Sequence, residues 1–285
     1  MDFPEFSDQN ANGTPAPNEL IGPPVTSPGF PVAPAANDGR ENPVFGMLDI
    51  LLILLCALVS LFFSLIVALA GLAIGGKSLE LAASALPNNG ALLVGIQTLS
   101  YIWVVAFMVA LVRMKHDAPF FAAISWNMPR AKTALTAILG GVALALFAEG
   151  ISSLLSRWIP KSLPIDAFFR TRSSVYAMVF FGIAVAPLVE ELFFRGFLYP
   201  VLARSLGLLP SIGLTAFAFA MLHEGQLAHA WAPLLVLFIV GATITAVRAW
   251  TRSVATGLLI HVGYNTTLFA LLFIATDGFR HLDKL

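Results

Sequence analysis

Long runs of apolar residues, each about as long as a membrane is thick, dominate the chain from position 47 onwards. Segment 47–76 holds one charged residue, Asp49, close to its start, and segment 91–112 holds none. A helix needs about 20 apolar residues to cross a hydrocarbon core of roughly 30 Å. A helix buried in a soluble domain seldom runs this long without a polar face. The pattern therefore predicts membrane-spanning helices.

The same pattern recurs along the chain and sets the expected fold. It predicts seven spans, at 47–75, 91–112, 133–155, 174–203, 209–222, 231–249 and 254–275. One of them contains Pro187, and a proline removes a backbone hydrogen bond and kinks a helix. A break at Pro187 would raise the number to eight. The predicted fold is an all-α, polytopic transmembrane helix bundle of seven or eight spans, in which we recognise no internal repeat.

The first 45 residues have a different composition, with nine prolines spread among Asn, Gly and Ser. Such a segment cannot bury enough apolar surface to offset the entropy lost on ordering, so we predict that it is disordered. The predicted organisation is a disordered tail (1–45), N-terminal membrane helices and loops (46–173), a second membrane region (174–275) and a short polar tail (276–285).

Composition agrees with a membrane location. Hydrophobic residues make up 58% of the chain and charged residues 11%, whereas about a quarter of a soluble domain is charged. The net charge is zero, so no basic stripe points to nucleic acid. Acidic Asp2, Glu5 and Asp8 stand where a secretory signal would be positive, and we expect no signal peptide there. We therefore expect a multi-pass integral protein of the cell membrane.

The positively charged loops leave the membrane orientation open. Loop 113–132 is basic, and the positive-inside rule would place it in the cytoplasm. The next loop, 157–172, is also basic. Either side could therefore face the cytoplasm.

Three charged residues interrupt the span 174–203, namely Glu190, Glu191 and Arg195. Together they would cost about 8 to 10 kcal/mol at mid-bilayer if unpaired. Glu191 and Arg195 are four residues apart on one helical face and can pair. Glu190 is rotated by about 140° from Arg195. An ion pair between helices needs no third member, so Glu190 is the functional candidate.

Two further pairs of polar or aromatic residues share helical faces in the following spans. Phe219 and His223 are four apart near the end of one span, as are His261 and Asn265 in the last. A carboxylate beside a histidine can polarise water. A histidine and an amide on one face can donate hydrogen bonds to a developing oxyanion. These are the groups needed to hydrolyse a peptide bond.

The three groups also follow the order and spacing of a known family. Residues 190–196 read EELFFRG and fit EExxxR; 219–223 read FAMLH and fit FxxxH; 261–265 read HVGYN and fit HxxxN. In this order they resemble the CPBP family, which contains the type II CAAX prenyl proteases and bacteriocin-processing relatives. The resemblance covers about 174–270.

The resemblance implies a catalytic set of Glu190, Glu191, Arg195, His223, His261 and Asn265. Within it, Glu190 and His223 would activate the water, and His261 and Asn265 would hold the oxyanion. We also expect Phe219, the aromatic residue of the second motif, to contact the substrate. The expected partners are the lipid bilayer and a membrane-associated polypeptide, which could be a prenylated protein, a leader peptide, an anchored precursor or a bacteriocin.

A metal-dependent mechanism is the first alternative. His223-Glu224 opens like the zinc motif HExxH, but position 227 is Leu227, so the second histidine ligand is missing. Two histidines and two carboxylates could still hold a divalent ion. We favour a mechanism without a cofactor, because Asn265 is a poor zinc ligand and a good oxyanion donor.

Two alternatives come from other functional classes. A proton-coupled transporter would use the same carboxylates and histidines as a proton path, but the sequence lacks helix-breaking pairs in matching halves. A catalytically inactive scaffold protein would not require the polar residues of all three motifs. We therefore predict an intramembrane peptidase.

Overall fold

The computed structural model describes residues 45–76, 78, 80–81 and 89–282. Over these residues the chain is helical, with no β-strand. The predicted disordered tail lies outside the described residues except for its last member, Phe45. That residue is 2% exposed, and its ring packs against Phe197 at a centroid distance of 4.4 Å.

Seven main helices make up the bundle within the residues that the structure describes. They are α1 (Met47–Ile74), α2 (Gly90–His116), α3 (Ala131–Leu154), α4 (Arg172–Leu206), α5 (Leu208–Leu222), α6 (Trp231–Thr251) and α7 (Val254–Ala275). Six of them are long and apolar enough to cross a membrane, and α5 is shorter. The predicted all-α polytopic membrane bundle is confirmed, and the protein is a multi-pass integral membrane protein.

Helix α4 runs for 35 residues without a break, so the eight-span alternative is not found. Pro187 lies at the start of a regular α-helical stretch, directly after a π-helical turn at Phe181–Val185. The wider π turn accommodates the missing N–H of the proline inside a continuous helix. A second π-helical turn follows at Leu192–Leu198 and contains Arg195. Such turns inside α-helices are frequently found at functional sites.

The start of α1 is fastened to the end of α2 by a buried carboxylate. Asp49 is 1% exposed, and its Oδ1 accepts a hydrogen bond of 2.6 Å from Lys115 Nζ. Its Oδ2 accepts a bond of 2.8 Å from the Gly46 backbone N–H. Halfway along the same two helices, the Ser60 and Ser100 hydroxyls are hydrogen-bonded at 2.9 Å. These contacts hold α1 against α2 within the bilayer.

Helices α3 and α7 approach so closely that their backbones touch at two glycines. A Cβ placed on Gly263 would lie 2.5 Å from the Ile138 carbonyl oxygen, and one on Gly141 would overlap the Ile260 carbonyl. Small residues allow helices to approach in this way inside membranes. The contact fixes the position of α7 along its axis relative to α3, and α7 is the helix that carries His261 and Asn265.

Candidate active site

The two carboxylates and the arginine of the first motif lie near the middle of α4. Glu191 and Arg195 are fully buried, and Glu190 is 8% exposed. As the spacing predicted, Arg195 Nη1 donates a hydrogen bond of 2.9 Å to Glu191 Oε1. Arg195 does not pair with Glu190, because no hydrogen bond or ion pair joins the two side chains within the described chain.

Helix α6 supplies the remaining contacts of the Arg195 guanidinium. Its Nη2 donates to the Gly241 carbonyl oxygen at 3.0 Å and its Nε donates to Thr245 Oγ1 at 3.3 Å. A buried ion pair is stable only when further hydrogen bonds satisfy the remaining donors. The contacts with α6 therefore make the burial of Arg195 possible.

A second buried arginine supports the same stretch of α4. Arg248, in the last turn of α6, donates from Nε to the backbone oxygen of Arg195 at 3.2 Å. Its guanidinium also lies 5.9 Å from the centre of the Tyr199 ring. Arg248 could not be predicted from the sequence, since it belongs to no motif and lies in a different span from its partner.

His261 lies between the two glutamates of α4. Its Nδ1 is 3.0 Å from Glu191 Oε1, and its Nε2 is 3.8 Å from Glu190 Oε2. Glu191 Oε1 also accepts from Arg195, and a carboxylate oxygen accepts, so the imidazole nitrogen that faces it carries a proton and donates it. The other ring nitrogen is directed towards Glu190, so the structure brings the first and third motifs together.

His223 directly follows α5 and is half-buried. Its Nδ1 is 2.9 Å from the Phe219 carbonyl oxygen. A carbonyl can only accept, so Nδ1 carries a proton, and in the neutral imidazole Nε2 then presents a lone pair. Over the described residues no hydrogen bond or ion pair joins His223 to Glu190.

The Phe219 ring packs among the charged groups of the site. Its centroid lies 5.1 Å from that of His223 and 5.9 Å from that of His261, and the Arg195 guanidinium is 5.0 Å from its centre. Phe219 is 2% exposed, and its ring contacts both histidines. Its predicted contact with the substrate stays a prediction.

Asn265 links α7 to the first π-helical turn of α4. Its Nδ2 donates a hydrogen bond of 2.5 Å to the Gly182 carbonyl oxygen. An amide nitrogen has two N–H donors, and this bond uses one of them. Asn265 lies one turn beyond His261 on the same face of α7, as the sequence predicted.

A divalent ion, the alternative raised by the sequence, would need several donor side chains close together. No group of three or more His, Cys, Asp or Glu side chains is arranged there to hold a metal. Glu191 Oε1 is already bound by Arg195 and His261. Glu224 pairs instead with His229, at 3.1 Å on the exposed turn after α5.

One family model matches the chain, that of the type II CAAX prenyl endopeptidase Rce1-like proteins, over residues 172–267. The matched segment begins with α4, ends inside α7 and contains all three motifs. No curated protein and no solved structure matches the chain. The match favours a peptidase over the transporter and scaffold alternatives. Through residues 172–267, this multi-pass membrane protein is similar to the CAAX-type intramembrane endopeptidases.

Proposed function

We propose that the chain is a glutamate-type endopeptidase that hydrolyses a peptide bond of a membrane-associated polypeptide, with Glu190 as the general base. The observation that carries the proposal is the unequal use of the two adjacent carboxylates. Glu191 is bound by Arg195 and His261, whereas Glu190 has neither a guanidinium partner nor a close hydrogen bond within the described chain. A base must be free to take a proton.

The attacking water is placed between Glu190 and His223. His223 offers a lone pair on Nε2, because its Nδ1 donates to the Phe219 carbonyl. A water that donates one hydrogen to Glu190 and the other to His223 has its own lone pair directed at the substrate. This arrangement gives His223, the histidine of the second motif, a role in the reaction. Because a water bridges Glu190 and His223, the two side chains need no direct contact.

The oxyanion is assigned to His261 and Asn265. Nδ1 of His261 donates to Glu191, so Nε2 can donate as well only when both ring nitrogens carry protons. Glu190 Oε2 lies 3.8 Å from this Nε2. The second N–H of Asn265 adds a neutral donor beside it. Donors that are fixed in advance stabilise the negative charge of the tetrahedral intermediate.

The proposed reaction follows from these roles. Glu190 takes a proton from water, and the resulting hydroxide bonds to the carbonyl carbon of the scissile peptide. The carbonyl oxygen becomes the oxyanion. When the intermediate collapses, the C–N bond breaks and the proton held by Glu190 passes to the leaving amine. Glu190 is then ionised again, and the products are an amine and a carboxylic acid, which releases its proton to solvent and becomes a carboxylate.

The substrate can be found by comparing cells that differ only at Glu190. Membrane proteomes would be compared between cells that carry the parent protein, the Glu190→Ala variant or the Glu149→Ala variant, the last of these as a control in which an exposed carboxylate of α3 is removed. We expect new protein termini with the parent and with Glu149→Ala but not with Glu190→Ala. Identical termini in all three would contradict the proposal.

A further inference from the structure

One oxygen of the buried Glu191 carboxylate has no hydrogen-bond partner. Oε1 receives both donors, from Arg195 and from His261, while Oε2 is buried and unpaired within the described chain. An unpaired buried acceptor costs stability. Such an exception requires a structural reason.

Gly257 is the residue that this oxygen faces. A Cβ on Gly257 would lie 2.8 Å from Glu191 Oε2. The next neighbour of that Cβ would be Ile244 Cγ2, at 3.4 Å, which is an ordinary van der Waals distance. The carboxylate oxygen is therefore the one close obstacle to a side chain at 257 among the described residues.

The carboxylate cannot move away without disturbing its partners. Its Oε1 is held by Arg195, and α6 in turn fixes Arg195 through the Gly241 carbonyl and the Thr245 hydroxyl. Its other partner, His261, lies four residues after Gly257 on the same face of α7. A rotation of the carboxylate away from residue 257 would lengthen the bond that orients the His261 ring.

We propose that Gly257 is a positioning residue for the peptidase reaction. Because glycine has no side chain, the Glu191 carboxylate can occupy the position in which it orients His261. This inference rests on the proposed function. No motif of the chain includes Gly257, and it acts through Glu191 and His261 without touching the substrate. An alanine there would shift the imidazole by a fraction of an ångström relative to the oxyanion.

The first test compares Gly257→Ala with Gly140→Ala. Gly140 is a matched control, because it also lies in a transmembrane helix and a Cβ on it would meet nothing within 4 Å. We expect Gly257→Ala to lower kcat by about 10- to 100-fold, as for a slightly misplaced catalytic group. We expect KM to stay near the parental value and the pH–rate profile to shift. Gly140→Ala should match the parent in all three measurements.

A second test separates the contact with Glu191 from general helix packing. The melting temperature Tm is measured for the parent, Gly257→Ala, Glu191→Ala and the double variant. We expect Gly257→Ala to lower Tm in the parental background and to leave it unchanged when Glu191 is absent. A residue that only packs helices would lower Tm by the same amount in both backgrounds.

The inference is overturned if Gly257→Ala keeps the parental kcat and pH profile, or if the two Tm shifts are equal. The Tm comparison needs no substrate, so equal Tm shifts in the two backgrounds would count against the role of Gly257 alone. A parent protein that cleaves no peptide would count against the proposed function, and the Tm comparison would still decide whether Gly257 makes room for Glu191.

Discussion

His261 and Glu191 are 70 residues apart in the chain and are joined by a hydrogen bond of 3.0 Å between Nδ1 and Oε1. The same carboxylate oxygen accepts from Arg195 at 2.9 Å. An arginine, a glutamate and a histidine thus form one buried chain of contacts between α4 and α7. The chain fixes the imidazole and directs its free nitrogen to Glu190, which places the proposed base beside the proposed oxyanion donor.

Arg195→Ala is expected to destabilise the protein as well as inactivate it. The substitution leaves Glu191 buried without its counter-charge, and breaking a buried pair typically costs about 3 to 5 kcal/mol. Thermal unfolding in detergent measures the effect, and Arg113→Ala, at an exposed position of α2, serves as the control. An unchanged melting temperature for Arg195→Ala would show that the pair does not support the fold.

Asn265→Ala is expected to slow turnover by about 10² to 10³, as for the loss of one oxyanion donor, with little change in KM. Steady-state kinetics on a quenched peptide measures both constants. The neighbouring exposed residue provides a control, Thr266→Ala, which should behave like the parent. A rise in KM at unchanged kcat would instead assign Asn265 to substrate binding.

Activity is expected to survive prolonged treatment with EDTA and phenanthroline. In the proposed mechanism the water is activated by Glu190 and the charge is held by His261 and Asn265, so a chelator removes nothing that is needed. In a zinc enzyme the ion generates the nucleophile. Elemental analysis showing one tightly held zinc per chain, with activity lost on chelation and restored by zinc, would overturn this mechanism and leave the peptidase assignment standing.

The sequence predicted those parts of the structure that depend on neighbours within one helix. Span lengths follow from local hydropathy, and the Glu191–Arg195 pair follows from four-residue spacing. The Asp49–Lys115 pair and the support of Arg195 by Arg248 were not foreseen, because each joins residues on different helices. The link from Asn265 to Gly182 was missed for a further reason: it involves a π-helical turn, and no residue pattern in the sequence marked that turn.

The most direct test of the central claim is cleavage of a membrane-anchored peptide by purified parent protein and Glu190→Gln in isotopically labelled water. Glutamine keeps the shape of the side chain and cannot take the proton. Mass spectrometry of the products should show one labelled oxygen in the new carboxylate for the parent and for Glu149→Gln, and no product for a folded Glu190→Gln protein. Near-parental cleavage by Glu190→Gln would contradict the assignment of Glu190 as the base.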